Sequence, residues 1–202
     1  MSDVATAPTR PAADKREAIL DAALRVIARL GLHAAPMSVV AREAGVAAGT
    51  LYLYFPSKEA MINDLYLELL REQYRAVGLD ALPAKDAAPD DPRAGLWDFW
   101  RRLARWHLDH PDASNVLQQC QASGILSEET RAAHARMDAA GVARFEAETA
   151  RGMLRDLPRQ VFYALLVGPI FVLAQLRATR EIVVTDEVLR LTFDGVCRSV
   201  LP

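Results

Sequence analysis

Large apolar residues recur every three or four positions along most of the chain, and the pattern divides into about nine helical segments. Asp14 and Glu17 form a capping-box-like start. Ile19, Ala22, Ala23, Val26, Ile27 and Leu30 then follow at helical spacing until Gly31. Pro36 opens a short helix, Met37 to Ala44, and Gly45 stops it before a second short helix around Gly49 to Phe55. Two short helices meeting at a glycine predict a helix-turn-helix. Pro56-Ser57 breaks the chain again, and Ser57 can cap a fourth helix with Met61, Ile62, Leu65, Tyr66 and Leu69 on one stripe.

Residues 78–95 are poor in large apolar side chains and rich in Pro, Ala and Asp, which reads as a loop ending on the helix-start signal Asp91-Pro92. Leu96, Phe99, Trp100, Leu103, Trp106 and His107 mark a fifth helix that ends near His110-Pro111. A shorter helix follows over Ala113 to Ser123, and a long one from about Glu128 to Arg155. An apolar helix runs from Pro158 to about Thr179, and Gly168-Pro169 within it predicts a kink. Thr185 caps a last helix whose face is Val188, Leu189, Thr192, Phe193, Val196 and Val200. Only Ile182 to Val184 alternates with period two, so the expected fold class is all-α.

Composition narrows the function. With 51% apolar residues the chain has ample material for a core, and a net charge of -2 makes any nucleic-acid binding a matter of a local patch. Cys120 and Cys197 lie far apart without a metal-binding spacing, as expected in a reducing cytoplasm. The first residues contain no apolar run of the secretory type. The longest apolar stretch, the 16 residues Val161 to Leu176, falls short of the roughly 18 that a membrane span needs, so a cytoplasmic protein with no membrane partner is expected. The expected division is a basic arm over 1–13, a helix-turn-helix domain over 14–58 and a larger helical domain over 59–202.

Val40 to Glu59, VAREAGVAAGTLYLYFPSKE, carries the chemistry. Val40, Ala44, Val46, Leu51 and Phe55 can pack inward, which distributes Thr50, Tyr52, Leu53 and Tyr54 around the outer sides of the second short helix. Hydroxyls there can reach phosphates or base edges, and rings suit thymine methyls. Ala47, Ala48 and Gly49 open that helix, where a free amide at Gly49 can approach a phosphate, and Lys58 adds a phosphate-directed charge. Residues 1–58 carry seven Lys/Arg against five Asp/Glu, net +2, and residues 59–202 seventeen against twenty-one, net -4. The positive end is the one with the helix-turn-helix.

AREAGV followed by GTLYLYFPSKE resembles the DNA-binding signature of the TetR family of bacterial transcriptional regulators, over about Lys15 to Leu69. The resemblance implies a homodimer that binds double-stranded operator DNA and is released from it by a small-molecule effector. It makes Thr50, Tyr52, Leu53 and Tyr54 groove-facing or phosphate-facing, Gly49 the close backbone approach and Lys58 a phosphate ligand. Two positions depart from the usual pattern: Ala47 stands where a Ser commonly caps the recognition helix, and Met37 where a Thr commonly caps the helix before it. Affinity should then lean more on Ser38, Arg42 and the arm. The divergent C-terminal domain carries over no effector identity, and an activator or a ligand-independent DNA-binding dimer of the same fold satisfies the same motif.

Other residues point to a sensor. Trp97, Trp100 and Trp106 with Phe99 concentrate aromatic mass that could line a cavity or fill a core. Trp97, Trp100, Leu103, His107, Gln118, Phe145 and Tyr163 are the expected ligand-side residues for a hydrophobic or aromatic effector. His107 and His110 form H-x-x-H, with His134 further on, but no Cys or Glu completes a recognisable metal set, so neither metal nor cofactor is expected. Dimerisation is expected through the last two helices, with Phe162, Leu166, Leu173, Leu189, Phe193, Val196 and Val200 as contacts. No catalytic signature is present, and an enzyme is not expected. A helical small-molecule carrier without DNA binding is the competing class.

Overall fold

The computed structural model describes residues 12–79 and 91–202. The arm expected over 1–13 lies outside these except at its last two residues, and residues 80–90 of the loop predicted over 78–95 lie outside them too. Among the described residues there are nine helices and no strand: α1 (Ala12–Leu30), α2 (Met37–Glu43), α3 (Ala48–Tyr54), α4 (Lys58–Val77), α5 (Pro92–Asp109), α6 (Pro111–Ser123), α7 (Glu128–Ala150), α8 (Arg159–Ala178) and α9 (Asp186–Val200).

Several boundaries follow from caps. The hydroxyl of Ser57 accepts from Ala60 N at 3.1 Å, the carboxylate of Asp91 from Arg93 N at 2.9 Å, and the hydroxyl of Thr185 from Val188 N at 3.3 Å. Ser127, which the apolar pattern passes over, caps α7 through Thr130 N. Helix α1 starts at Ala12, so Asp14 sits in its first turn, where it opposes the helix dipole, and does not cap it. The last turn predicted for α7 is absent: Gly152 takes φ +72 and Arg155 N donates to Val200 O, joining this turn to the end of α9. Helix α8 runs through Gly168-Pro169, where the ring costs one backbone bond.

Two apolar cores organise the helices. The first is built by Ile19, Ala23, Val26 and Ile27 of α1, Val40 of α2, Leu51 of α3 and Met61, Ile62, Leu65, Tyr66 and Leu69 of α4. It also takes Trp106 from α5 and Val116, Leu117 and Cys120 from α6. The second joins Trp100, Leu103 and Ala104 of α5 to Leu166, Val167, Ile170 and Leu173 of α8 and Leu189, Phe193, Val196 and Val200 of α9. Burying each such side chain contributes about 1.5–3 kcal/mol before entropy is counted.

This second core takes up most of the side chains expected at the dimer contact. Leu166, Leu173, Leu189, Phe193, Val196 and Val200 are buried inside their own chain, and Phe162 packs its ring on Phe145 at 4.7 Å. An amphipathic stripe fills its own core first, so a surplus must lie elsewhere. It lies on the opposite side of α8, where Val161, Ala164 and Val172 are exposed. Helix α8, with 20 residues, is long and apolar enough to cross a membrane by length and composition, while one of its stripes is core.

Candidate nucleic-acid interface

Helices α2 and α3 meet at Gly45, whose φ of +68 only glycine adopts without strain. Gly45 N donates to Arg42 O and Val46 N to Ala41 O, which closes the turn. Leu51 and Phe55, both buried, anchor α3 on the first core. That anchoring fixes the opposite face: Tyr52 is 52% exposed and Leu53 is 86% exposed, while Thr50 and Tyr54 are half-buried at the flanks. Neither α2 nor α3 has a side-chain cap: Ala47 stands at the N-cap of α3, whereas at α2 Pro36 takes that place and Met37 is the first residue of the helix.

Ala47, Ala48 and Gly49 are exposed at the start of α3. A Cβ added at Gly49 would meet nothing within 4 Å, so packing inside the chain does not require a glycine there. Ser38 in the first turn of α2 and Arg42 in its last are exposed on the same side. The neighbouring carboxylate, Glu43, is taken by Arg25 at 3.3 Å and Arg29 at 3.7 Å from α1, which lowers its repulsion of an approaching phosphate. Lys58 is tethered: its Nζ donates to the carbonyl of His33 at 2.7 Å, leaving two of its three N–H donors outward.

The expected ligand-side residues fall into three places. Trp100 and Leu103 belong to the second core, and the indole N–H of Trp100 donates to Leu166 O at 2.8 Å. Trp97 stacks beside it and forms part of a surface pocket of about 310 Å³ with Asp91, Arg93, Arg190, Phe193 and Asp194, where the Arg190 guanidinium sits over its ring. His107 and Gln118 form a buried polar chain: Gln73 Nε2 donates to His107 Nε2 at 2.9 Å, His107 Nδ1 donates to Ser114 Oγ at 2.9 Å, and Gln118 Nε2 donates to the same hydroxyl. Burial, then the nearby His110, pushes the His107 pKa down to about 4, so the ring is neutral as this chain requires.

Phe145 and Tyr163 lie in the third place, facing a polar cluster that the apolar pattern did not reveal. The Tyr66 hydroxyl donates to His134 Nδ1 at 3.0 Å, the Tyr74 hydroxyl donates to Asp138 Oδ1 at 3.3 Å, and Asp138 Oδ2 lies 3.5 Å from Arg159. Tyr66 reads as a member of an apolar stripe in the sequence. The spacing of His134 and Asp138, one turn apart on α7, is the signal that could have found the cluster. Among the described residues no group of His, Cys, Asp and Glu is arranged to hold a metal.

Residues 19–65 match the model of the bacterial regulatory proteins of the tetR family. The Fatty acid metabolism regulator protein of Bacillus subtilis is 50% identical over 50 residues, which are 25% of this chain and 26% of that protein. The HTH-type transcriptional regulator RutR of Escherichia coli is 33% identical over 109 residues, 54% of this chain and 48% of that protein. The chain thus spans about half or less of the length of these curated relatives. Over nearly its full length the fold is shared with solved structures: a TetR family transcription regulator from Marinobacter aquaeolei superimposes with a TM-score of 0.79 at 24% identity, covering 94% of this chain and 96% of that one. A second, from Shewanella, gives 0.78 at 23% identity, covering 93% and 98%. The helix-turn-helix segment thus matches the tetR family of bacterial regulatory proteins, and the chain as a whole shares the fold of solved TetR family regulators.

Proposed function

We propose that this chain is a sequence-specific, cytoplasmic transcriptional regulator that acts as a homodimer on duplex operator DNA and is released from it by a small-molecule effector. Residues 14–58 form the reading head and residues 59–202 the sensing and dimerising part. The observation that carries the reading is the face of α3. An apolar side chain as exposed as Leu53, beside the half-exposed ring of Tyr52, is held outward by a helix pinned through Leu51 and Phe55. Such a face suits a major groove, with Leu53 and Tyr52 on thymine methyls and Thr50 on a base edge or phosphate. Ser38, Arg42, Gly49 and the free donors of Lys58 suit the flanking phosphates.

One short helix reads too few base pairs for specificity, so the reading requires two heads on a pseudo-palindrome. The exposed apolar stripe of α8 supports pairing between two copies as a helical bundle. Repression relieved by an effector is the mode that the sensing part suits, with α4 as the mechanical link because it starts at Lys58, directly after the reading helix. Selection from random duplexes tests the proposal. It should return an enriched pseudo-palindrome whose half-sites lie about one helical turn apart or somewhat more. Lys58→Ala should weaken all duplexes alike, and Leu53→Ala should chiefly erode the preference among them. A pool without any enriched palindrome would overturn it.

A further inference from the structure

We infer that the recess between α4, α7 and α8 is the effector site of the reading above, and that it takes a neutral, planar molecule with a hydrogen-bonding group, of the phenol or heteroaromatic amide class, in preference to organic anions or cations.

Helical register is the first argument. Tyr163 stands three, four and seven positions before Leu166, Val167 and Ile170, so it belongs to the stripe of α8 that faces the interior. Those three residues are buried, yet Tyr163 is 51% exposed. An inward-facing ring with half of its surface accessible borders space that protein atoms do not fill. The surrounding protein, helped by the nearby Asp138 carboxylate, pushes the pKa of its hydroxyl up to about 12. The hydroxyl has no hydrogen-bond partner among the described residues, while its neighbours Tyr66 and Tyr74 are both engaged. Tyr163 is therefore the donor and acceptor left for a guest.

Shape and charge select the guest. Phe145 and Phe162 form a half-exposed aromatic wall beside the recess, with ring centroids 4.7 Å apart, which suits a flat apolar body. The two full charges at the mouth, Asp138 and Arg159, are spent on each other at 3.5 Å, and Asp138 also accepts from Tyr74. His134 is held neutral by burial. A carboxylate or ammonium entering the recess would lose hydration and find no free countercharge among the described residues, whereas a neutral polar group need only satisfy Tyr163.

Three matched probes, 2-naphthol, 2-naphthoate and 2-naphthylmethylammonium, differ in charge and little in shape, and calorimetry against the full-length protein at neutral pH compares them. The expected order places naphthol first. Tyr163→Phe should weaken naphthol about fivefold, the effect of one neutral hydrogen bond. Asp138→Asn frees Arg159 and should strengthen naphthoate about fivefold, while Arg159→Gln frees Asp138 and should do the same for the ammonium probe. A structural role alone would not reverse the charge preference, and helical circular dichroism and denaturation midpoints check that each variant folds. Naphthoate or the ammonium probe binding the wild type as tightly as naphthol would overturn the inference, as would no binding of any probe or charge variants without effect on preference. Operator release is measured separately. Naphthol that binds in this order but never releases DNA would leave the site standing and overturn its role as the effector site.

Discussion

The backbone N–H of Leu32, just past the end of α1, donates to Oε1 of Gln119 in the middle of α6 at 2.8 Å. Leu32 is itself buried, so this amide has little water to turn to. The bond fastens the loop that precedes the reading helices to a helix that also carries the Ser114 and Gln118 polar chain. Gln119→Ala should therefore lower stability by about 1 kcal/mol and speed exchange of the Leu32 amide more than that of amides elsewhere in α1. Denaturant titration and native-state hydrogen exchange measure the two effects. An unchanged Leu32 amide would show that the loop is held by other means.

Two glycines four positions apart, Gly45 and Gly49, should respond oppositely to alanine, though both have room for a Cβ. At Gly45 the positive φ makes the substitution strained, and Gly45→Ala should cost about 1 kcal/mol or more. At Gly49 the backbone is helical and open, so Gly49→Ala should leave stability unchanged or raise it by up to about 1 kcal/mol. It should nonetheless weaken operator binding by about tenfold, because the added methyl stands between the helix and the phosphate. Melting curves and fluorescence anisotropy on the same samples separate the two quantities.

Stability should fall on mild acidification through His107. Its folded pKa is pushed down to about 4 from an ordinary 6.5, so between those values the unfolded chain binds the proton and the folded chain does not. The contribution is fully present above pH 6.5 and is lost as pH falls toward 4, amounting to a few kcal/mol over that range. His134, lowered by burial, acts in the same direction. Denaturation midpoints at pH 7 and pH 5 should differ less in His107→Gln than in the wild type. An equal difference in both proteins would assign the acid sensitivity to other groups.

Pairing of two copies should be broken from the exposed side of α8. Val161→Glu with Val172→Glu places charges where the chain buries nothing of its own, and should yield folded monomers by light scattering with far weaker operator binding. Phe193→Glu, by contrast, buries a carboxylate in the second core and should destabilise the protomer by several kcal/mol. A wild type that is monomeric at micromolar concentration would contradict the proposed dimer.

The helix order, the helix-turn-helix and its exposed face were legible because each rests on local rules: period, glycine, cap and motif. Ser57, Asp91 and Thr185 cap where their chemistry suggests. What periodicity could not convey is which apolar stripe meets which partner. Phe193 and Val196 form a stripe that suits a neighbouring molecule as well as a core, and only the packing of α9 on α5 and α8 decides between them. Trp100 was ambiguous for the same reason, since bulk suits a cavity wall and a core equally. The meeting of Tyr66 and Tyr74 with His134 and Asp138 was not legible because they come together from helices some 70 positions apart, and a tyrosine counts as apolar in a helical pattern.

The make-up of the first core bears on modularity. The reading helices rest not only on α1 and α4 but on Trp106, Val116, Leu117 and Cys120, residues that arrive some 50 positions after the helix-turn-helix ends. A fragment stopped after residue 58 lacks that wall and α4 as well, and a chimera that transplants only the head onto a foreign sensor inherits a seam cut for a different α6. Exchange of specificities between such chains is therefore cleanest on the surface of α3, where Tyr52 and Leu53 can be rewritten without disturbing anything beneath them.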